Sequence, residues 1–294
     1  MPMDSEESMD MTTVGVVGCG LMGSGIVEVF ARAGRTVIVH EVDAAAAARG
    51  RSRVERSLEK AAASGKLVAG DAEAAINRIH FGTDLDALAT VDLCIEAASE
   101  DEALKTELFR RLDAVIKDER AILASNTSSV PIMKLGTVTR RPAQVIGMHF
   151  FNPVPVLPLV EVVPSLLTSP DVVRRVRELA EHYLGKTVIL SGDRAGFVVN
   201  ALLVPYLLSA VRMVESGFAT ATDIDAGMTG GCAHPMGPLR LTDLIGVDTV
   251  VAIATSLYAE FKEPLYSPPP MLLRMVDAGL LGRKSGRGFY DYHG

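Results

Sequence analysis

"GVVGCGLMGSG", Gly15 to Gly25, decides how the first half of the chain folds. Its Gly18, Gly20 and Gly23 form the pattern G-x-G-x-x-G. Alone that pattern is weak, because three glycines fall into it by chance. Its setting carries the weight. The β-branched run "TTVGVVG" (Thr12–Gly18) precedes it and predicts a strand. "LMGSGIVEVFARAG" follows with helical spacing of its apolar residues and closes on Gly34, a C-cap residue. Between a strand and a helix, such glycines give a tight turn, let a pyrophosphate approach the backbone, and allow close helix–strand packing. The amides at the helix start then face the anion. A glycine turn that packs a helix without any ligand is the plainer alternative.

A second feature weighs against that alternative. A dinucleotide fold places an acid at the end of the next strand, about 20 residues on. Glu41 stands there, after "TVIVH". A carboxylate at that place hydrogen-bonds a ribose diol and repels a 2′-phosphate, which favours NAD over NADP. Asp43 is a rival, two residues later.

Working outward, strand and helix patterns alternate. "TVIVHEV" (Thr36–Val42), "VDLCIEAA" (Val91–Ala98), "AILASNTS" (Ala121–Ser128), "QVIGMHFF" and "LPLVEVV" predict strands, and after "KTVILS" (Lys186–Ser191) the pattern changes. Ala44–Ala63 and "DEALKTELFRRLDAVIK" predict helices. This alternation implies an α/β, doubly wound, mainly parallel sheet with helices on both faces. From Gly196 onward helical segments dominate. The domain boundary is therefore placed near Ser191–Ala195, giving a Rossmann-type NAD-binding domain over 11–193 and an all-α domain over 194–294. Met1–Asp10, "MPMDSEESMD", is acidic and predicts a frayed tail with no targeting signal.

The chain has 294 residues, 48% of them hydrophobic and 22% charged, the composition of a soluble protein with a large core. A net charge of −7 supplies no overall positive field, so neither nucleic acid nor an anionic membrane is expected as partner. Three widely spaced cysteines show no metal or redox spacing, so no metal site is expected. They suit reduced thiols in the cytoplasm. The apolar run from Phe197, "FVVNALLVPYLLSAVRMV", contains Asn200, Pro205 and Arg212, and predicts a buried helix rather than a membrane span.

"HFFNPVPVLPLVE", His149 to Glu161, sets a histidine and a glutamate into apolar sequence. Twelve residues fully extended span about 40 Å, so the two meet only if the chain doubles back. "NPVPVLP" supplies a reversal, and two short antiparallel strands would bring them together. Such a pair orients the imidazole and stabilises its protonated form. The alternative leaves Glu161 pointing to solvent from an edge strand and His149 a satisfied core histidine.

"ASNTSS" puts Ser125, Asn126, Thr127, Ser128 and Ser129 at the carboxyl end of a strand, where open α/β sheets bind ligands. Capping of the helix that starts at "PIMKLG" is expected to occupy one of these hydroxyls. Asn200 needs a partner if buried, either a ligand or another helix. Arg49, Arg53, Arg56 and Lys60 share one helical face, either a solvated stripe or a phosphate contact.

With these residues in place, the sequence resembles the 3-hydroxyacyl-CoA dehydrogenases, most of all the bacterial single-function 3-hydroxybutyryl-CoA dehydrogenases. The likeness runs from about Val14 to Tyr292. "GxGLMGxGI", "ASNTSS", "HFFNPVP…LVE", "GFVVN", "PMGPLRLTDLIG" and "GRKSGRGFY" occur in the family's order. The resemblance implies that His149 is the catalytic acid/base and Glu161 its orienting partner, with Ser128 and Asn200 in the same catalytic set. It implies NAD against Gly18, Gly20, Leu21, Met22, Gly23, Glu41, Glu100, Lys105 and Asn126. It implies an acyl-CoA substrate against Ser57, Lys60, Ser128, Asn152 and Asn200, and a homodimer through the helical domain. Two departures stand out. Ser64 replaces a lysine that many members present to coenzyme A, and "DRAGFVVNALL" lacks the proline and arginine usual around "GFV-x-N". A same-fold dehydrogenase of a free hydroxy acid or sugar acid, and a non-catalytic dinucleotide-binding protein, are the competing functions.

Overall fold

The computed structural model describes residues 11–293, so the expected tail Met1–Asp10 lies outside them. The chain divides into two compact units between Asp193 and Arg194.

The first unit is built on one eight-stranded sheet. Its strands are β1 (Thr13–Val17), β2 (Thr36–His40), β3 (Ile79–Gly82), β4 (Leu93–Glu96), β5 (Ile122–Ser125), β6 (Val145–Phe150), β7 (Leu159–Pro164) and β8 (Thr187–Leu190). The spatial order is β3-β2-β1-β4-β5-β6-β7-β8, with the reversal of winding between β1 and β4 that marks a doubly wound sheet. Every pairing is parallel except β6 with β7. Every residue of β4, β5 and β6 is buried, so both faces of the central sheet are covered. Their near-continuous apolar sequences follow from that burial. Val14, Val16, Ile26, Phe30, Val37, Val39, Leu93 and Ile95 belong to this core.

Helix α1 (Leu21–Arg32) follows β1, and α2 (Ala44–Ala63) follows β2. Asp43 is the N-cap of α2, where its side chain accepts from the Ala46 amide at 2.6 Å. That role leaves Glu41 as the acid at the strand end. Elements with no counterpart in the sequence reading include α3 (Ala69–Ile76), strand β3 and the helix Pro170–Glu178. β3 lies at the sheet edge and buries only Ile79 fully, so "IHFG" carries neither a long apolar run nor a clean alternation. Helices α4 (Glu102–Val115), α5 (Ile132–Thr137) and α6 (Pro170–Glu178) complete the unit.

Several strands end sooner than their apolar patterns suggest. β2 stops at His40, β4 at Glu96 and β5 at Ser125. The polar residues that follow leave the sheet at its carboxyl edge, where side chains are released from the ladder into a crevice.

The second unit is helical: α7 (Val199–Glu215), α8 (Ala221–Cys232), α9 (Pro238–Ile245), α10 (Val247–Phe261) and α11 (Pro270–Asp277). Its core includes Val204, Leu207, Leu208, Leu239, Val250, Ala254, Leu257 and Leu272. Two buried aspartates explain its sequence motifs. Asp225 accepts the Leu239 and Arg240 amides at 2.8 and 3.0 Å and so caps α9. Asp243 accepts the Phe289 and Tyr290 amides at 2.9 and 3.0 Å, tying "LTDLIG" to "GRGFY". A Cβ on Gly282 would stand 2.3 Å from the Asp243 carbonyl oxygen, so that close approach requires glycine. Among the described residues, no single helix is long and apolar enough to cross a membrane.

Candidate active site

The glycine loop has the shape its spacing predicts. Gly18 has φ +85°, and a Cβ there would meet the Ala97 carbonyl oxygen at 2.8 Å. A Cβ on Gly23 would lie 1.9 Å from the Gly18 carbonyl oxygen, so α1 packs against the turn only through glycine. Gly20, the N-cap of α1, faces open space, and no side chain caps the helix. Leu21 is exposed and Met22 half-buried beside it. The amides at the start of α1 therefore point to a cradle that suits a pyrophosphate. Glu41 reaches the same loop: its Oε1 accepts from the Cys19 amide at 2.6 Å. These residues fit an NAD whose adenosine ribose lies at Glu41. Cys19, buried beside them, has its thiol pushed up to about 12, first by burial and then by the Glu41 charge, so it stays protonated.

A buried ionic network lies at the ends of β4 and β5. Glu96, fully buried, accepts from Ser125 Oγ at 2.6 Å and from Lys105 Nζ at 2.6 Å. Glu96 and Ser125 are register partners, so the sheet itself brings them together. Lys105, 1% exposed, also approaches Glu100 Oε2 at 3.2 Å. Glu100 Oε1 in turn accepts from Thr127 Oγ1 at 2.5 Å, the Ser128 amide at 2.9 Å and Ser129 Oγ at 2.8 Å. Burial pushes the Glu100 carboxyl up, but Lys105 and these hydrogen bonds outweigh it and hold it below the usual glutamate value. The loop carrying Ser128 is thus pinned through Glu100 to a lysine that Glu96 fixes from below. Sequence reading singled out Lys105 and Glu100 but missed Glu96. The signal was there: "LCIEAA" sets a glutamate in an apolar strand, as "LVEVV" does.

The serines do not cap α5, contrary to expectation. Pro131 precedes that helix without a side-chain cap, and its first amides, Ile132 and Met133, both donate to the Asp193 carboxylate at 2.7 Å. Thr127 Oγ1 instead accepts from the Val130 amide at 2.9 Å and closes its own turn. Local sequence favoured a nearby hydroxyl; a carboxylate 61 residues away holds the position.

His149 and Glu161 face each other across the one antiparallel pairing of the sheet. Nδ1 of His149 lies 2.6 Å from Glu161 Oε2, with the imidazole 6% exposed and the glutamate fully buried. The alternative of a solvent-facing Glu161 is therefore overturned. A carboxylate accepts at that bond, so neutral His149 carries its proton on Nδ1. Phe151 packs edge-on against the imidazole, ring centres 4.6 Å apart, and fixes its plane. Asn126 Oδ1 accepts from the Phe150 amide at 2.9 Å, which ties the end of β5 to the strand holding His149.

The other expected site residues stand on other elements. Asn152 is exposed just beyond β6. Ser57 and Lys60 lie one turn apart on α2, both exposed, while Ser64 bonds its own helix at Ala61. Arg53, on the basic face of α2, donates to the Cys19 carbonyl at 3.0 Å, so that face meets the glycine loop rather than solvent alone. Asn200 sits in the first turn of α7 in the helical unit, 8% exposed.

Comparison with known proteins bears on this arrangement. The profile described as "3-hydroxyacyl-CoA dehydrogenase, NAD binding domain" matches residues 13–194, and that of the family's C-terminal domain matches residues 196–292. A 3-hydroxybutyryl-CoA dehydrogenase of Mycobacterium tuberculosis is 57% identical over 279 residues, 95% of this chain and 98% of that protein. The crystal structure of M. tuberculosis FadB2 superposes with a TM-score of 0.95 at 56% identity, covering 96% of this chain and 99% of that one. That of (S)-3-hydroxybutyryl-CoA dehydrogenase PaaH1 from Ralstonia eutropha gives 0.91 at 43%, covering 97% and 100%. An NAD-binding sheet with a glycine loop, joined to a helical unit and matched along both by one family, leaves a single assignment: the chain belongs to the 3-hydroxyacyl-CoA dehydrogenases, a family of NAD-dependent oxidoreductases.

Proposed function

We propose that this enzyme interconverts (S)-3-hydroxyacyl-CoA and 3-oxoacyl-CoA, with 3-hydroxybutyryl-CoA and acetoacetyl-CoA as its pair. The observation that carries the reading is the 2.6 Å contact of His149 with a fully buried Glu161 at the carboxyl end of a dinucleotide-binding sheet. The substrate follows from the names of relatives that match nearly the whole chain.

Bound at the glycine loop, NAD supplies the hydride acceptor for oxidation and the donor for reduction. In oxidation, Nε2 of neutral His149 takes the proton of the 3-hydroxyl. Glu161 stabilises the imidazolium that forms and keeps Nδ1 as the donor, as a carboxylate does for histidine in hydrolase triads. In reduction the imidazolium returns the proton to the 3-oxo oxygen. Ser128, held by Glu100, hydrogen-bonds the 3-oxygen, and Asn200 of the helical unit binds the substrate. Glu100, Lys105 and Asn126 hold the nicotinamide side of the cofactor, while Ser57, Lys60 and Asn152 contact the acyl-CoA. The helical unit also carries a homodimer interface, for which the exposed Leu202 and Phe218 are suited apolar surface.

The test is oxidation of NADH with acetoacetyl-CoA, set against free acetoacetate and other free oxo acids. Turnover confined to the thioester is expected. Preference for a free acid would move the enzyme to another substrate class, and NADH binding without turnover of any acyl-CoA would make it a binding protein. In the same assay, Glu41→Ala should narrow the preference for NADH over NADPH by about tenfold, or 1.4 kcal/mol, since the charge that repels a 2′-phosphate is gone. An unchanged ratio would assign discrimination elsewhere.

A further inference from the structure

A pocket of about 380 Å³ opens at the carboxyl end of α1, between α3 and the turn before β8. The 12 residues of α1 span about 18 Å, so this pocket lies at the far end of the helix from the glycine loop. Its wall joins apolar side chains with Arg32, Arg78 and Lys186, and Asp71 is its single carboxylate. The cations come from separate segments: Arg32 ends α1, Arg78 precedes β3, and Lys186 precedes β8.

A fourth cation backs the pocket. Arg35, 9% exposed, stacks its guanidinium 4.3 Å from the centre of the Tyr183 ring, itself part of the wall. Its Nε and Nη2 have no hydrogen-bond partner among the described residues. Buried N–H groups without partners are costly, and charged ones more so. Internal pairing accounts for little of the excess charge. Arg32 meets Glu28 at 3.2 Å. Lys186 donates to the Val154 and Leu157 carbonyls at 2.6 and 2.7 Å, which accept hydrogen bonds but carry no full charge. Burial, and then the neighbouring Arg32, push the Lys186 ammonium down, as expected of cations crowded without an anion. A basic residue at the end of α1 would suffice to complement the helix dipole. It does not explain Arg78 and Lys186, which belong to other elements.

We propose that this pocket is a second ligand site, taking a small phosphate-bearing anion. Guanidinium groups match phosphate oxygens in pairs, and an ammonium adds a point charge. The volume far exceeds one water and falls in the range of small-molecule sites, and the apolar wall would cover the organic part. The site is independent of the catalytic reading.

The test is calorimetric titration of inorganic pyrophosphate into the full chain at constant ionic strength, with NAD saturating so that the glycine loop is occupied. Saturable one-to-one binding is expected, weakened at least tenfold in Arg78→Gln and Arg35→Gln, and stronger than that of succinate, a dicarboxylate of similar charge. Arg78 is half-buried and its side chain makes no hydrogen bond or ion pair among the described residues, so its variant keeps the test decisive if the Arg35 variant does not fold. Absence of saturable binding would overturn the proposal. So would equal affinity in Arg78→Gln, which would place the anion elsewhere, or equal affinity for succinate, which would remove the phosphate assignment.

Discussion

His149→Ala is expected to lower kcat with acetoacetyl-CoA and NADH by about 10³-fold, the usual scale for losing a positioned acid/base. The imidazole contributes where the proton moves, in the transition state, so the loss should fall on kcat and kcat/KM alike. The glycine loop and Glu41 do not depend on the histidine, so NADH should still bind, as its fluorescence would report. That combination separates lost chemistry from a collapsed fold. His149→Gln, which keeps a polar group opposite Glu161, should be as inactive, because an amide does not exchange protons at neutral pH. Near-normal turnover in either variant would remove His149 from the mechanism.

Lys105→Met is expected to destabilise the first unit by about 3–5 kcal/mol, the cost of removing one partner from a buried ion pair. Methionine keeps much of the side-chain length but leaves Glu96, 0% exposed, facing apolar surface at a position now 2.6 Å from an ammonium. Urea unfolding without NAD would measure it, since cofactor binding would mask part of the loss. KM for NADH should rise as well, because Glu100 loses a counter-charge while still holding the Ser128 loop. The pH dependence has a definite sign. Glu100 titrates below its ordinary value of 4.5 in the folded protein, so its ionisation stabilises the fold above that pH. That contribution fades as pH falls through the lower folded value. Without Lys105 the depression shrinks, so the gap between wild type and variant should narrow in acid. A gap that widened as pH fell would contradict the network.

Much of this architecture is legible in the sequence, for physical reasons that differ from residue to residue. The glycine loop could be read because its constraint is local: Gly23 and Gly18 touch within one turn, and spacing records that contact. Glu41 was legible because a strand end follows from a hydrophobic run. The meeting of His149 and Glu161 needed one further step, a chain reversal at the prolines, and the antiparallel pairing supplies it. What stayed hidden is long-range. Asp193 caps α5 across 61 residues of sequence, and no local pattern announces that contact. Glu96 looked like part of a strand; its role depends on Lys105, one strand end and one helix turn away. β3 escaped notice because an edge strand of four residues is half exposed and writes no apolar signature.

The central claim, that His149 works as a proton carrier whose charged form Glu161 stabilises, is tested most directly by single-turnover oxidation of enzyme-bound NADH by acetoacetyl-CoA in wild type and Glu161→Gln. Reduction needs the proton that the imidazolium returns, so this step reads the work of His149 directly. Removing the carboxylate that faces Nδ1 at 2.6 Å should lower the rate while NADH binding is unchanged. A variant that matched the wild-type rate would contradict the account and leave Glu161 a structural residue.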